Sequence, residues 1–361
     1  MKSDPPDYQQ LAKQIKIWGR ELGFQHIGIT DTQLDQHNKH LEDWLEKGYE
    51  GEMSWLSTHS DKRKKPESLH PGTLRVISAR MDYLPGDTQQ TKLLAEGDKA
   101  YIARYALGSD YHKLIRKRLA VLAEKISQAI GSDISQRPFV DSAPVLERAM
   151  AEKSGLGWIG KNTMLINKKA GSWFFLGELF TSLPLPTETD TSKNHCGTCH
   201  ACLDICPTQA FAGPYELDAR KCISYLTIEH KGSIPVELRK AIGNRVFGCD
   251  DCQIVCPWNK FAKPTEEKRF LPKHGLDNPD LCELFLWSEK EFLKNTEGSA
   301  LRRSGYERWL RNLSVALGNA PSAPKIIAAL KQRLNHESLL VREHVEWALK
   351  QHENKIALID I

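Results

Sequence analysis

Residues 196–207 read CGTCHACLDICP and residues 249–257 read CDDCQIVCP. The first is C-x2-C-x2-C-x3-C-P, the spacing with which two-cluster proteins hold iron–sulfur cubanes: three close thiolates take corners of one cluster and the fourth reaches the other. The second run repeats the last three cysteines, both gaps and the proline, with Val246 where its first cysteine would stand. Cys222, between the runs, brings the set to the eight thiolates that two 4Fe-4S clusters require. The crossover rule assigns Cys196, Cys199, Cys202 and Cys256 to one cluster, and Cys249, Cys252, Cys206 and Cys222 to the other. A pair of zinc sites competes, since C-x2-C also chelates zinc, but two C-x3-C-P endings speak for clusters.

At roughly 150 residues per domain, 361 residues predict two or three domains. With 40% hydrophobic and 27% charged residues the composition is that of a globular protein. No apolar run approaches the roughly 18 residues of a membrane span, and the opening MKSDPPDYQQ lacks the apolar region of a signal peptide. A cytoplasmic protein without membrane contact is expected. Thiols stay reduced there, so nine cysteines point to metal or redox use. Cys282, the one outside the cluster region, sits in LCELFLW and reads as a core thiol. The net charge of +4 is unevenly placed: from Arg302 to Arg333 seven basic residues face Glu307 alone, a net +6. Such a stretch is a candidate polyanion surface or a plain solvated helix face.

Up to about residue 190, helical and strand-like segments alternate. YQQLAKQIKIWGREL sets Leu11, Ile15, Trp18 and Leu22 at helical spacing, with Gly23 behind. FQHIGIT and LRVISARMDYL read as strands, YHKLIRKRLAVLAEKISQAI as an amphipathic helix, RPFV as a strand end, APVLERAMAEK as a helix, and GSWFFLGELF as an apolar strand pair. This alternation argues an α/β or α+β domain with a covered sheet. From about residue 280 the chain reads as helical, with Trp309, Leu313, Ala316 and Leu317 in one stripe and Val341, Val345, Ala348 and Leu349 in another. Stacked hairpins of the HEAT kind and an ordinary bundle both produce this pattern.

GLGWIG (155–160) matches the dinucleotide fingerprint by letter, but a helix-like stretch precedes it and no helix follows, so its glycines read as a helix stop and a close approach. Asp110-Tyr111-His112 begins like a base-off cobalamin motif and lacks the glycine that should follow. Asp141 lies between RPFV and APVLERAMAEK. It reads either as the cap of that helix or as a catalytic acid at a strand end.

Together these residues resemble the epoxyqueuosine reductases, the iron–sulfur and cobalamin enzymes of tRNA queuosine synthesis. The resemblance rests on ARYALGSDYHKLIRKRL, VDSAPVLERAMAEKSGLGWIGKNTMLINKKAGSWFFLGELF, the eight cysteines with CISYLTIEHKG and GCDDCQIVCPWN, and LRRSGYERWLRNLSVALGNA. It implies an α+β fold in three parts: a nitroreductase-like cobalamin-binding domain over 1–190, a ferredoxin-like two-cluster domain over 191–264, and HEAT-like helical repeats that bind tRNA over 265–361. The implied activity is reduction of epoxyqueuosine to queuosine at the wobble position of the anticodon. Cobalamin is the implied cofactor beside the clusters, with an external low-potential electron donor and a monomeric enzyme.

In that family the aspartate of V-D-S-A-P donates the proton, which falls on Asp141. The cobalamin contacts fall on Arg63 in HSDKRKKP, Asp141, Leu165 in NTMLI, Leu176 in WFFLGE, Ser224 in CISY, and Cys249 with Asp250 in GCDDC. Acid catalysis near neutral pH asks that burial raise the Asp141 pKa. RNA phosphates are expected on Arg302, Arg303, Arg308 and Arg311, with Arg308 and Arg311 sharing a face beside Trp309. A reductive dehalogenase and a non-enzymatic electron carrier or RNA-binding module are the alternatives; the basic tail disfavours the first, and bound cobalamin would exclude the second.

Overall fold

The computed structural model describes residues 6–86, 89–131, 134–188 and 193–357. Helix α1 (Tyr8–Glu21) starts where the Asp7 side chain accepts hydrogen bonds from the amides of Gln9 and Gln10. Strand β1 (His26–Thr30), strand β2 (Arg75–Asp82), helix α2 (Tyr111–Ile130), strand β3 (Gln136–Phe139), helix α3 (Glu147–Lys153) and strand β4 (Phe174–Thr181) follow. The strands form one antiparallel sheet in the order β1-β2-β4-β3. The apolar segment expected to be a strand pair is therefore one strand. All eight β4 residues are buried, and a central strand covered on both faces shows no alternation that would reveal its length.

One face of the sheet packs Ile77, Ala79, Met81 and Leu179 against Ile15 of α1 and Ile115 and Leu119 of α2. The other packs Val76, Phe139 and Phe180 against Ala149 and Met150 of α3. The close seat of α2 needs a glycine: a Cβ at Gly177 would stand 2.5 Å from Ile115 Cγ2. Beyond α3, Gly155 takes φ +75° and ends the helix, after which Trp158–Ile159 pairs with Leu165–Ile166. GLGWIG thus ends a helix, as its context suggested, and then opens a hairpin that the sequence did not reveal.

The rest of the chain is largely helical: α4 (Ile223–Ile228), α5 (Gly305–Asn319), α6 (Pro324–Gln332) and α7 (Leu339–Ala357). Arg245–Phe247 pairs in parallel with Tyr101–Ile102. One apolar core then joins Ile102 and Leu107, Val246 and Phe247, and the expected stripes Trp309, Leu313, Val341 and Val345. The core crosses both expected boundaries, at 190 and 264. Cys282 is half-buried against it. No helix among the described residues is long and apolar enough to cross a membrane.

Candidate active site

Asp141 follows β3, and α3 begins only at Glu147, with Leu146 at the cap position and no side-chain cap. The capping reading of Asp141 therefore fails. Its carboxylate instead accepts a hydrogen bond from the Tyr111 hydroxyl, and His112 Nε2 stands 2.8 Å from the other oxygen. His112 Nδ1 in turn faces Asp110 Oδ1 at 2.5 Å, and Asp110 caps α2 by accepting from the His112 amide. The first turn of α2 thus presents a tyrosine and an imidazole to Asp141. Burial alone would depress the His112 pKa; hydrogen bonds to Asp110 and Asp141 outweigh it and raise it to about 9. Tyr111 is fixed by stacking on Phe175, 3.9 Å between centroids.

A buried Asp141 was expected, and this is corrected: its side chain keeps 39% of its surface exposed. The turn between β3 and α3 holds it at the mouth of a cleft lined by Tyr111, Glu147, Met164, Leu165, Phe174 and Leu176. Behind the mouth the carboxyls change character. Glu147 is pushed up to about 8, first by burial and then by the charge of Asp141. Glu178, on β4, is fully buried, and neither carboxyl oxygen has a partner among the described residues. Burial, then Glu147 and Asp141, hold its pKa well above the usual carboxylate range.

Of the cobalamin contacts implied by the resemblance, Asp141, Leu165 and Leu176 come together on the cleft. Arg63 is buried, its Nε has no partner among the described residues, and the charge of Glu147 acts on it. Ser224 stands on α4, after Cys222. Cys249 donates from Sγ to Asp251 Oδ2 at 2.9 Å. Asp250 is buried and accepts from Tyr101 Oη and the Arg104 amide, both at 2.8 Å. The apolar side chains of the cleft, together with a buried guanidinium whose Nε has no partner among the described residues, fit a large, amide-fringed macrocycle.

None of the eight motif cysteines is joined in a disulfide. The Cys202 thiol is pushed up to about 11, first by burial and then by Cys256, Cys196 and Cys199. Cys256 is raised by burial and then by Cys196 and Cys199, Cys222 by burial and then Cys206. Cys252 feels burial first, then Cys222, with Cys202 and Cys206 further down. The neighbours of Cys202, Cys256 and Cys222 follow the crossover rule, whereas Cys252 has neighbours from both sets; eight thiols are the donor set that two cubanes take.

The four tail arginines separate. Arg302 and Arg303 are exposed, and Arg303 lies 2.9 Å from Glu229. Arg308 is half-buried and donates to the carbonyls of Ser304, Ile228 and Arg303. Arg311 is fully buried, its guanidinium bonded to the carbonyls of Leu226, His230 and Gly232 and to Asn312 Oδ1. The expectation that Arg311 shares an RNA-facing surface with Arg308 is corrected, because every turn of α5 from Trp309 to Gly318 is sealed. Sequence reasoning also missed Tyr111, His112, Glu147 and Glu178 as neighbours of Asp141. The signal for Tyr111 and His112 lies in the DYH peptide, whose letters otherwise read as an incomplete cobalamin motif.

Comparisons with known proteins meet this geometry at several points. A family model described as "4Fe-4S double cluster binding domain" matches residues 195–259, and one described as "Epoxyqueuosine reductase QueG, DUF1730" matches residues 63–142. An epoxyqueuosine reductase of Pseudomonas aeruginosa is 66% identical over 348 residues, 96% of this chain and 96% of that protein. One of Escherichia coli is 54% identical over 349 residues, 97% of this chain and 91% of that protein. Among solved structures, an epoxyqueuosine reductase with a tRNA-Tyr epoxyqueuosine-modified stem loop superposes with TM-score 0.81 at 26% identity, covering 95% of this chain and 99% of that one. The Bacillus subtilis enzyme, with its catalytic aspartate loop swung out of the active site, gives TM-score 0.82 at 28% identity, covering 95% of this chain and 90% of that one. Likeness at this identity along nearly the whole chain, with the cluster model lying over all eight motif cysteines, shows that the chain belongs to the epoxyqueuosine reductase family.

Proposed function

We propose that the protein reduces epoxyqueuosine to queuosine in the wobble position of tRNA anticodons, the last step of queuosine biosynthesis. The observation that carries this reading is Asp141, held between Tyr111 and His112 on the lip of an apolar cleft. Removing the epoxide oxygen as water takes two electrons and two protons. The eight motif cysteines would hold the two 4Fe-4S clusters, which would supply those electrons one at a time from an external low-potential donor. Arg63, Leu165, Leu176, Ser224, Cys249 and Asp250 would hold cobalamin, which would supply the low-potential metal chemistry that the reduction needs.

The chain's own residues manage the protons. Asp141, exposed at the lip, reaches the epoxide oxygen and relays to it, as the ring opens, the proton that the His112 imidazolium supplies through their 2.8 Å contact; solvent at the lip then reprotonates His112, which passes on the second proton that water formation needs. Asp110 holds the far side of the imidazole and keeps it oriented. Tyr111 donates to the second Asp141 oxygen and fixes the direction of the first. The apolar side chains of the cleft limit water at the reacting centre.

The division of labour follows the segments: cobalamin and acid chemistry over 1–190 on a nitroreductase-like sheet, electron transfer over 191–264, and tRNA binding by HEAT-like helices over 265–361. The enzyme acts as a cytoplasmic monomer. The test is Asp141→Asn, which keeps the shape and loses the acid. It should retain cobalamin and stem-loop binding while turnover falls by about 10² to 10⁴. Turnover within a few-fold of wild type would overturn the role of Asp141.

A further inference from the structure

Trp55 opens the short helix Trp55–Thr58 and leaves 37% of its surface exposed. Single exposed aromatics are common; this one is not left alone. The Arg303 guanidinium lies over its ring, Cζ 5.8 Å from the centroid, and Glu229 holds that guanidinium at 2.9 Å. The three residues come from three distant stretches: the segment between β1 and β2, the residue after α4, and the approach to α5. Arg303 is also within electrostatic reach of Asp141, so the pair lies on the approach to the cleft that Asp141 lines.

The loop beneath Trp55 is pinned. The Glu52 amide donates to Tyr225 Oη at 2.8 Å, His230 Nδ1 lies 3.0 Å from one Glu52 oxygen, and the Lys231 amide donates to the other at 2.8 Å. A rigid ring with a guanidinium plane beside it is the surface on which unpaired bases stack in RNA loops. Fixing it before binding lowers the ordering cost. We infer that Trp55 and Arg303 form a stacking platform for the unpaired base next to the modified nucleotide, gripping the anticodon loop while the modified base enters the cleft. The inference rests on the proposed function and adds to it the part of the RNA that is held and the side chains that hold it. The neighbouring base is the occupant because the modified base itself must pass into the cleft to Asp141.

Stacking and phosphate contact respond differently to salt, and the test uses that difference. The probe is an epoxyqueuosine-bearing stem-loop, with the same stem-loop made abasic at each flanking loop position, titrated across a salt series against wild type, Trp55→Ala, Trp55→Phe and Arg303→Ala. Trp55→Ala should weaken binding roughly ten- to a hundredfold with its salt slope unchanged, and Trp55→Phe should keep most of the affinity. Arg303→Ala should also shallow the slope of log affinity against log salt, by about 0.7 to 0.9 for one lost phosphate contact. One abasic substitution should weaken wild type and add little to Trp55→Ala, because both remove the same stack. Trp55→Ala binding within about twofold of wild type, or an abasic penalty equal in wild type and variant, would overturn the platform while leaving the proposed function standing. Failure of wild type to bind the stem-loop would overturn both. Cobalamin absorbance of each variant reports that it has folded.

Discussion

Arg303 and Arg311 stand eight residues apart in one basic stretch and work in opposite surroundings. Arg303 keeps 52% of its side chain exposed and pairs with Glu229. Arg311 is sealed, and its donors close the carbonyls of Leu226, His230 and Gly232 at and beyond the end of α4. A cation at that end also meets the negative pole of the helix. Burial pulls the Arg311 pKa down to about 9, which still leaves it charged at neutral pH. Net charge counts both residues equally. The comparison teaches that a basic stretch can mix a surface that meets a polyanion with internal struts that never see one.

The largest expected effect breaks the strut. Arg311→Ala leaves three main-chain carbonyls and Asn312 without their donor, and removing one partner from a buried charged network typically costs about 3 to 5 kcal/mol. Arg311→Lys should recover little of it, because one ammonium cannot span the positions a planar fork reaches. Urea unfolding followed by circular dichroism reads the loss. If Arg311→Ala unfolds at the wild-type midpoint, Arg311 is no strut and the contrast with Arg303 collapses.

The same contrast marks what could be read from sequence. The eight cluster cysteines were legible because ligand spacing is local: three or four residues decide each gap. Strands β1 and β2 and helices α1 and α2 were legible from periodicity. Asp141 was legible as a residue but not as an environment, since its partners Tyr111 and His112 sit on a helix brought alongside only by the sheet. Its expected burial and its capping role both failed for one reason: the Asp141–Leu146 segment is a turn that runs on to Glu147 before any helix forms. Strand β4 misled because burial on both faces erases alternation. Arg311 misled because charge patterning carries no information about depth.

The second prediction concerns His112, which joins the exposed Asp141 to the chain behind it. Its pKa is raised from 6.5 to about 9, so the imidazolium is present below that pH and is lost as pH rises through it. Turnover in wild type should fall on the basic side with a midpoint near 9. His112→Gln still offers an N–H to Asp141 but carries no exchangeable charge. Its turnover near neutral pH should drop by about ten- to a hundredfold, and the basic limb should flatten. A limb that persists unchanged in His112→Gln would assign it to another group and leave Asp141 without the proposed proton source.

The smallest expected effect sharpens the division of the basic stretch. Lys325 lies 3.1 Å from Asp280 and 3.7 Å from Asp98, so its charge is already answered within the fold. Arg333 Nη2 likewise donates to the Trp287 carbonyl at 2.9 Å. With Arg311 buried and Arg308 engaged by carbonyls, most of the net +6 read from residues 302–333 is answered within the fold; Arg302, which donates to the Leu293 carbonyl, and Arg303, paired with Glu229, keep the exposure that a phosphate contact needs. Lys325→Ala should therefore leave stem-loop affinity within about twofold and its salt slope unchanged, where a true phosphate contact would shallow the slope by about 0.7 to 0.9. A slope that falls by that amount would place RNA on the Asp280 side of the helical tail. The cation count of the whole stretch, rather than the exposure of its first two arginines, would then be the better guide to where the anticodon stem lies.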